Sequence, residues 1–167
     1  MTQAIEQGGV AQPAPTRVAR IYPAPRALVF EAWSSARHVR NWFHPIGYGA
    51  PAARVEMRVG GAFEVCMRAP DGSEHWTRGS FVELVPDERL VLDLYAVDAD
   101  GKPLFRAFTE VRFTDDAGGG TRMEVVQSYS FERPEQAAPM VAGAPEGWRQ
   151  TLDKLGTEIA AMLAGAA

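Results

Sequence analysis

Between residues 53 and 131 the chain alternates short periodic segments with very short turns, and that spacing leaves few folds open. The turns are Gly60-Gly61, Asp71-Gly72, Pro86-Asp87, Asp100-Gly101 and Gly118-Gly119-Gly120. Glycine supplies positive φ and proline presets the first turn angle, so each reads as a reversal. The segments between them, Ala53–Val59, Ala62–Arg68, Glu74–Val85, Arg89–Ala99, Phe105–Thr114 and Thr121–Phe131, read as strands. Parallel pairing needs crossovers of about a dozen residues or more, which these connections cannot supply. The strands therefore pair antiparallel.

The flanks complete the picture. Arg17 to Tyr22 alternates as a first strand and Pro23-Ala24-Pro25 stops it. Pro25 suits the first position of a helix running to about Trp33. Ser34-Ser35 re-caps the chain for a second short helix carrying Val39, Trp42 and Phe43 on one face, and Pro45, Gly47, Gly49 and Pro51 end it in a loop. Pro134 to Pro145 is too broken by proline and glycine for a helix. From Gly147, residues Trp148, Leu152, Leu155, Ile159 and Met162 form one apolar helical stripe, with Gln150, Lys154 and Glu158 largely off it. One sheet and few helices cannot make two packed sheets, and nothing winds a parallel unit. A sheet of this length curls. The expected fold is α+β: a curved antiparallel seven-stranded sheet, in the order β-α-α-β6-α, wrapped around a long C-terminal helix with a central cavity. Residues 1–16 read as a flexible tail and 17–167 as a single domain.

Composition narrows the function classes. A net charge of −4, with positive charges scattered, argues against nucleic acid. No apolar run approaches the roughly 20 residues needed to cross a bilayer. The single cysteine, Cys66, fits a reducing cytoplasm and excludes an internal disulfide. His38, His44, His75 and Cys66 have no recognised ligand spacing, so no metal is expected, and no cofactor motif is present.

Period-two alternation sorts the faces. Phe63, Val65 and Met67 share one side of their strand, Leu90, Leu92 and Leu94 another, and Met123, Val125, Gln127 and Tyr129 a third. The apolar sets line the concave face, and the charged sets face water with cross-strand pairs. Gln127 and Tyr129 are inward polar groups that need hydrogen-bond partners, from water, backbone or a ligand. The parity of Glu74–Val85 is ambiguous, and a bulge near Gly79 would resolve it. Glu56, Arg58 and Glu83 are candidate pocket charges, with rim ion pairs or turn hydrogen bonds as the alternative.

The motifs together resemble the SRPBCC (START-like, helix-grip) superfamily, and within it the bacterial branch similar to the activator of the heat-shock protein 90 ATPase. They are Pro25 to Trp33, Trp42-Phe43-His44-Pro45, Arg58 to Phe63, Asp71-Gly72, Gly79 to Glu83, Pro86 to Leu90, Gly120 to Met123, and Gly147-Trp148 through Leu152 to Leu155. The chain departs from that pattern at Ser35-Ala36, where Asp-Pro is frequent, and at Gln127, where many members place histidine. An amide does not titrate, which weakens acid–base chemistry at that position. The resemblance implies the helix-grip fold and a cavity for apolar ligands.

The leading expectation is a cytoplasmic, non-enzymatic protein that binds a small hydrophobic or aromatic ligand. Trp42, Phe63, Leu94, Gln127, Tyr129 and Trp148 are its expected wall, with Trp33, Arg58 and Trp76 as further contacts. One alternative is a cyclase- or hydrolase-type enzyme using Arg58, Glu56 or Glu83 to polarise a carbonyl. The other is a co-chaperone-like interaction module, with a homodimer open, which predicts a large exposed apolar patch.

Overall fold

The computed structural model describes residues 13–165. Its elements are β1 (Thr16–Tyr22), α1 (Arg26–Glu31), α2 (Ala36–Trp42), β2 (Gly49–Val55), β3 (Ala62–Arg68) and β4 (Glu74–Val85), followed by β5 (Arg89–Val97), β6 (Pro103–Asp115), β7 (Thr121–Phe131), α3 (Pro134–Ala142) and α4 (Ala144–Gly165). The seven strands form one antiparallel sheet in the order β1-β7-β6-β5-β4-β3-β2. The first strand thus pairs with the last, and α1 and α2 carry the chain from one sheet edge to the other. The sheet curls as a half-barrel around α4, the helix-grip arrangement.

Most of the tail expected over residues 1–16 lies outside the described residues. Thr16 itself opens β1: it is buried, faces Gln127 in register, and its Oγ1 hydrogen-bonds the Tyr129 hydroxyl at 2.6 Å. The helix starts follow local chemistry. Pro25 is the extended residue just before α1, and the Ser35 side chain caps α2 by accepting from His38 N.

Three expectations change, each for a physical reason. Strand β2 runs four residues earlier than the alternation suggests. Residues 56–61 instead make a tight reversal, with Arg58 N donating to Glu56 O and Gly61 N to Arg58 O, both at 2.8 Å. Pro51 is tolerated in β2 because that strand is a sheet edge and its register shifts between Gly49 and Ala52. The segment after β7 is helical despite Pro139. Ala137 and Val141, one turn apart, are buried. Arg133 pins the helix start by donating to Asp98 Oδ2 at 2.8 Å and to the Pro103 carbonyl at 3.1 Å. Finally, the bulge in β4 falls between Phe81 and Glu83, not near Gly79. It ejects Val82, which is 48 % exposed, and keeps both Phe81 and Leu84 toward the core.

Gly79 has a different role. It lies between Phe63 and Leu94 in register, and a Cβ there would sit 1.9 Å from the Asp93 carbonyl oxygen. Its missing side chain lets β4 cross β5 closely enough for the sheet to curl.

The core fills the concave side. Trp148, Leu152, Leu155 and Ile159 of α4 are buried against it, and the Tyr22 hydroxyl donates to the Leu152 carbonyl at 2.8 Å. Trp33, Trp42, Phe43 and Phe63 form an edge-to-face aromatic cluster with centroids 4.7 Å (Trp33–Trp42) and 5.3 Å (Phe43–Phe63) apart. The convex face carries cross-strand ion pairs, led by the two-pronged Arg106–Asp93 contact at 2.7 and 2.9 Å.

The polar side of α4 is also occupied. Gln150, Lys154 and Glu158 recur once per turn and hold the segment around α2. Gln150 Oε1 accepts from Ile46 N at 3.0 Å, Lys154 Nζ donates to His44 Nδ1 at 2.6 Å, and Glu158 meets His38 Nδ1 at 2.8 Å. This ladder fixes the loop after α2 against the long helix.

Candidate functional site

A cavity of 410 Å³ opens where the sheet, the loop after α2 and the α3–α4 junction meet. The sheet contributes Met67, Thr77, Leu94, Phe105 and Ala107, all on the concave parity. The loop contributes Phe43, Pro45 and Tyr48, and the helices contribute Met140, Ala144, Gly147, Trp148 and Thr151. Ala144, Gly147, Trp148 and Thr151 follow helical spacing, so one face of the first two turns of α4 forms the roof.

The polar centre of this wall is Gln127. Trp148 Nε1 donates to Gln127 Oε1 at 3.0 Å, and Gln127 Nε2 donates to Thr109 Oγ1 at 2.8 Å. Thr109 passes its own proton to the Ala107 carbonyl at 3.1 Å. An indole N–H can only donate, so this chain of bonds fixes which end of the amide is which. The bonds also tie β7 to β6 on one side and to α4 on the other. Gln127 thus commits its oxygen and one N–H to protein groups and still borders the cavity.

The other expected contacts divide clearly. Leu94 and Trp148 line the cavity with Gln127. Trp76 borders it, but its parity is that of Arg78, whose guanidinium lies 4.3 Å from the Trp76 ring centre, so the ring belongs to the convex side. Trp33, Trp42 and Phe63 are fully buried in the aromatic cluster and do not reach the cavity. Trp42 Nε1 donates to the Ala32 carbonyl at 2.9 Å, a packing role. Tyr129 is buried, with its hydroxyl on Thr16 and its ring edge-on to Phe105, and does not itself border the cavity.

Arg58 lies in the turn after β2 with its side chain 66 % exposed, 3.8 Å from Glu56. Glu56 accepts from Ala62 N at 3.0 Å, and that backbone bond chiefly holds its carboxyl below the usual range. Glu83 is 48 % exposed and pairs with Arg89. None of the three reaches the cavity, so they cannot polarise a molecule bound there.

Sequence reasoning did not single out Thr77, Phe105, Met140 or Thr151. Thr77 was hidden by the misplaced bulge and Met140 by Pro139. Phe105 and Thr151 carried a usable signal: Phe105 shares the parity of Ala107, and Thr151 lies on the helical face of Trp148.

Two polar arrangements nearby resemble chemistry without supplying it. Ser73 donates to Asp71 Oδ1 at 2.6 Å and lies 3.2 Å from His75 Nε2. The hydroxyl proton thus faces the carboxylate and the imidazole does not bridge the two, the reverse of a nucleophile–base–orienter relay. His44 Nε2 donates to the Arg40 carbonyl at 3.1 Å, leaving Nδ1 to accept from Lys154. Burial first, and then the Lys154 charge, push the His44 imidazole below its usual pKa, and burial lowers that of Lys154.

Neutral His44 is therefore part of the α2–α4 ladder. A folded-state pKa below the unfolded value of about 6.5 means that this contribution is complete above that pH. It is lost as pH falls through the depressed folded value. Thermal melts from pH 8 to 5 should fall more steeply for the wild type than for His44→Gln, whose amide oxygen can still accept from Lys154. Parallel curves would remove His44 from the ladder.

Cys66 is buried, and burial chiefly raises its thiol pKa, which disfavours the reactive thiolate. Among the described residues no group of three or more His, Cys, Asp or Glu side chains could hold a metal ion. No helix among them is long and apolar enough to cross a membrane.

Seven strands curled about a terminal helix, with an apolar cavity between them, define a protein of the START-like helix-grip class. Residues 23–160 match the family described as "Activator of Hsp90 ATPase homolog 1-like protein", and the chain belongs to it. Among solved structures it is similar to a protein of Nitrosomonas europaea, with 21% identity, a TM-score of 0.75, and coverage of 90% of this chain and 97% of that one. A protein of Chromobacterium violaceum is 26% identical, with a TM-score of 0.72 over 88% of this chain and 97% of that one. One from Arthrobacter aurescens is 23% identical, with a TM-score of 0.76 over 87% and 86%. No curated protein sequence matches the chain.

Proposed function

We propose that the protein binds a small apolar or aromatic molecule in the cavity between the sheet and the start of α4, as a cytoplasmic binder. The carrying observation is the cavity itself: 410 Å³, walled mostly by aliphatic and aromatic side chains around a single clamped amide. Volume and lining both fall in the range of small-molecule sites.

Gly147 offers the sharpest test. It lies on the roof, and a Cβ added there meets no atom within 4 Å, so a larger side chain grows into open space. Glycine within a helix costs about 1 kcal/mol relative to alanine, so Gly147→Leu should hold or raise the melting temperature. The same side chain should abolish binding. The readouts are native mass spectrometry of protein purified from its own host, and thermal shifts across a panel of apolar ligands. A co-purifying mass seen with the wild type and lost with Gly147→Leu supports the reading. If neither protein carries a mass or responds to the panel, the reading is wrong.

The enzyme alternative loses its residues, since Arg58, Glu56 and Glu83 all lie off the cavity. The interaction-module alternative gains no observation: the exposed large hydrophobics Ile21, Ile46, Val59, Val82, Met140 and Leu163 are dispersed over strands, turns and helices.

A further inference from the structure

If the cavity is a ligand site, as proposed, the polar content of its wall limits the charge of the molecule it can hold. Among the described residues lining the cavity there is no Lys, Arg, Asp or Glu. Among the described residues His75 is the only imidazole on the wall; it is exposed, beside the Tyr48 ring and bonded to Ser73. Lys154, one turn beyond Thr151 on α4, directs its ammonium to His44 and to the Pro45 carbonyl at 2.8 Å. The N-terminal end of α4 adjoins the cavity and carries a partial positive charge, but Glu146 already stands in that first turn. A carboxylate entering this space would give up its water and meet no cation. An uncharged molecule meets no such penalty.

Tyr48, Thr77 and Thr151 bring hydroxyls to the wall, but a hydroxyl rotates and can accept as well as donate. The donor with a fixed direction is the Gln127 amide, held by its two bonds. Gln127 is only 8% exposed, its Oε1 is turned to Trp148, and one Nε2 proton goes to Thr109. No described protein group takes the second Nε2 proton. A buried amide proton is destabilising until an acceptor reaches it, and a neutral carbonyl oxygen is the acceptor that adds no charge.

We infer that the cavity takes an uncharged molecule with an apolar body and one carbonyl oxygen, which accepts from Gln127 Nε2, and that it rejects the carboxylate of the same shape. Gln127 is then the residue that reads the ligand, in addition to holding α4 to the sheet.

Three probes of nearly equal shape test this on the full chain by equilibrium dialysis at pH 8: 2-acetylnaphthalene, 2-ethylnaphthalene and 2-naphthoate. The ketone should bind about threefold to tenfold more tightly than the hydrocarbon, the worth of one neutral hydrogen bond. The carboxylate should bind at least about thirtyfold more weakly than the ketone. Gln127→Leu, or Gln127→Met if the first variant does not fold, should bring ketone and hydrocarbon to equal affinity. Naphthoate binding within about threefold of the ketone overturns the inference, as does equal binding of ketone and hydrocarbon by the wild type. Failure of all three probes to bind is a separate result: it removes the underlying ligand-binding reading as well.

Discussion

Replacing Gly79 by valine should cost the fold about 3 kcal/mol or more, a drop of roughly 6–12 °C in melting temperature. The cause is backbone, not side-chain, crowding. A Cβ at this position lies 1.9 Å from the Asp93 carbonyl oxygen and 2.9 Å from the Leu94 Cα. Neither atom is the end of a flexible side chain, so relief requires β4 and β5 to separate. Separation here would flatten the sheet just where Phe63 and Phe81 pack on its concave side, 5.9 Å apart. Gly79→Ala should already show most of the effect, because the clash begins at Cβ. Chemical denaturation checks it. A loss below about 1 kcal/mol for both variants would mean that the sheet does not depend on this close crossing.

Trp42→Ala should be comparably damaging, at about 4 kcal/mol. The side chain is fully buried, meets Trp33 and Phe43 edge to face, and satisfies the Ala32 carbonyl. Trp42→Phe keeps an aromatic ring and loses the hydrogen bond, so its cost should be nearer about 1–2 kcal/mol. Both variants should keep the affinity of the cavity for its ligand while they remain folded, because Trp42 does not border it. The opposite pattern, weakened binding with stability unchanged, would return Trp42 to the cavity wall.

These two residues show where the sequence was legible. Strands β3, β4 and β7 have the bounds expected from alternation and turn residues, since glycine and proline act locally. Pro51 and Pro139 mislead because their cost depends on neighbours: an edge strand tolerates one, and the burial of Ala137 and Val141 outweighs the other. Parity places Leu94 and Gln127 on the concave side, and helical spacing places Trp148 opposite them. Neither separates a cavity wall from a packed core. That separation depends on where the loop around Pro45 and the α3–α4 junction stand off from the sheet, which no local pattern encodes. So Phe63 shares the inward parity of the wall, and Trp33 and Trp42 face the same core from the helical segment, yet none of the three borders the cavity. Arg58 reads as part of a strand, but β2 ends at Val55 and Arg58 falls inside the reversal over residues 56–61.

The pairing of β1 with β7 has a consequence for how the molecule is assembled. Thr16 meets Gln127 across a long stretch of chain that includes every other strand, so the first strand made waits for the last before it has a partner. The concave face waits longer still, since Trp148, Leu152, Leu155 and Ile159 follow β7 in the chain. Contacts of such long range slow folding, and unpaired strand edges invite association while they last. During synthesis the chain therefore presents an open, apolar, half-edged sheet, and only the arrival of α4 closes it.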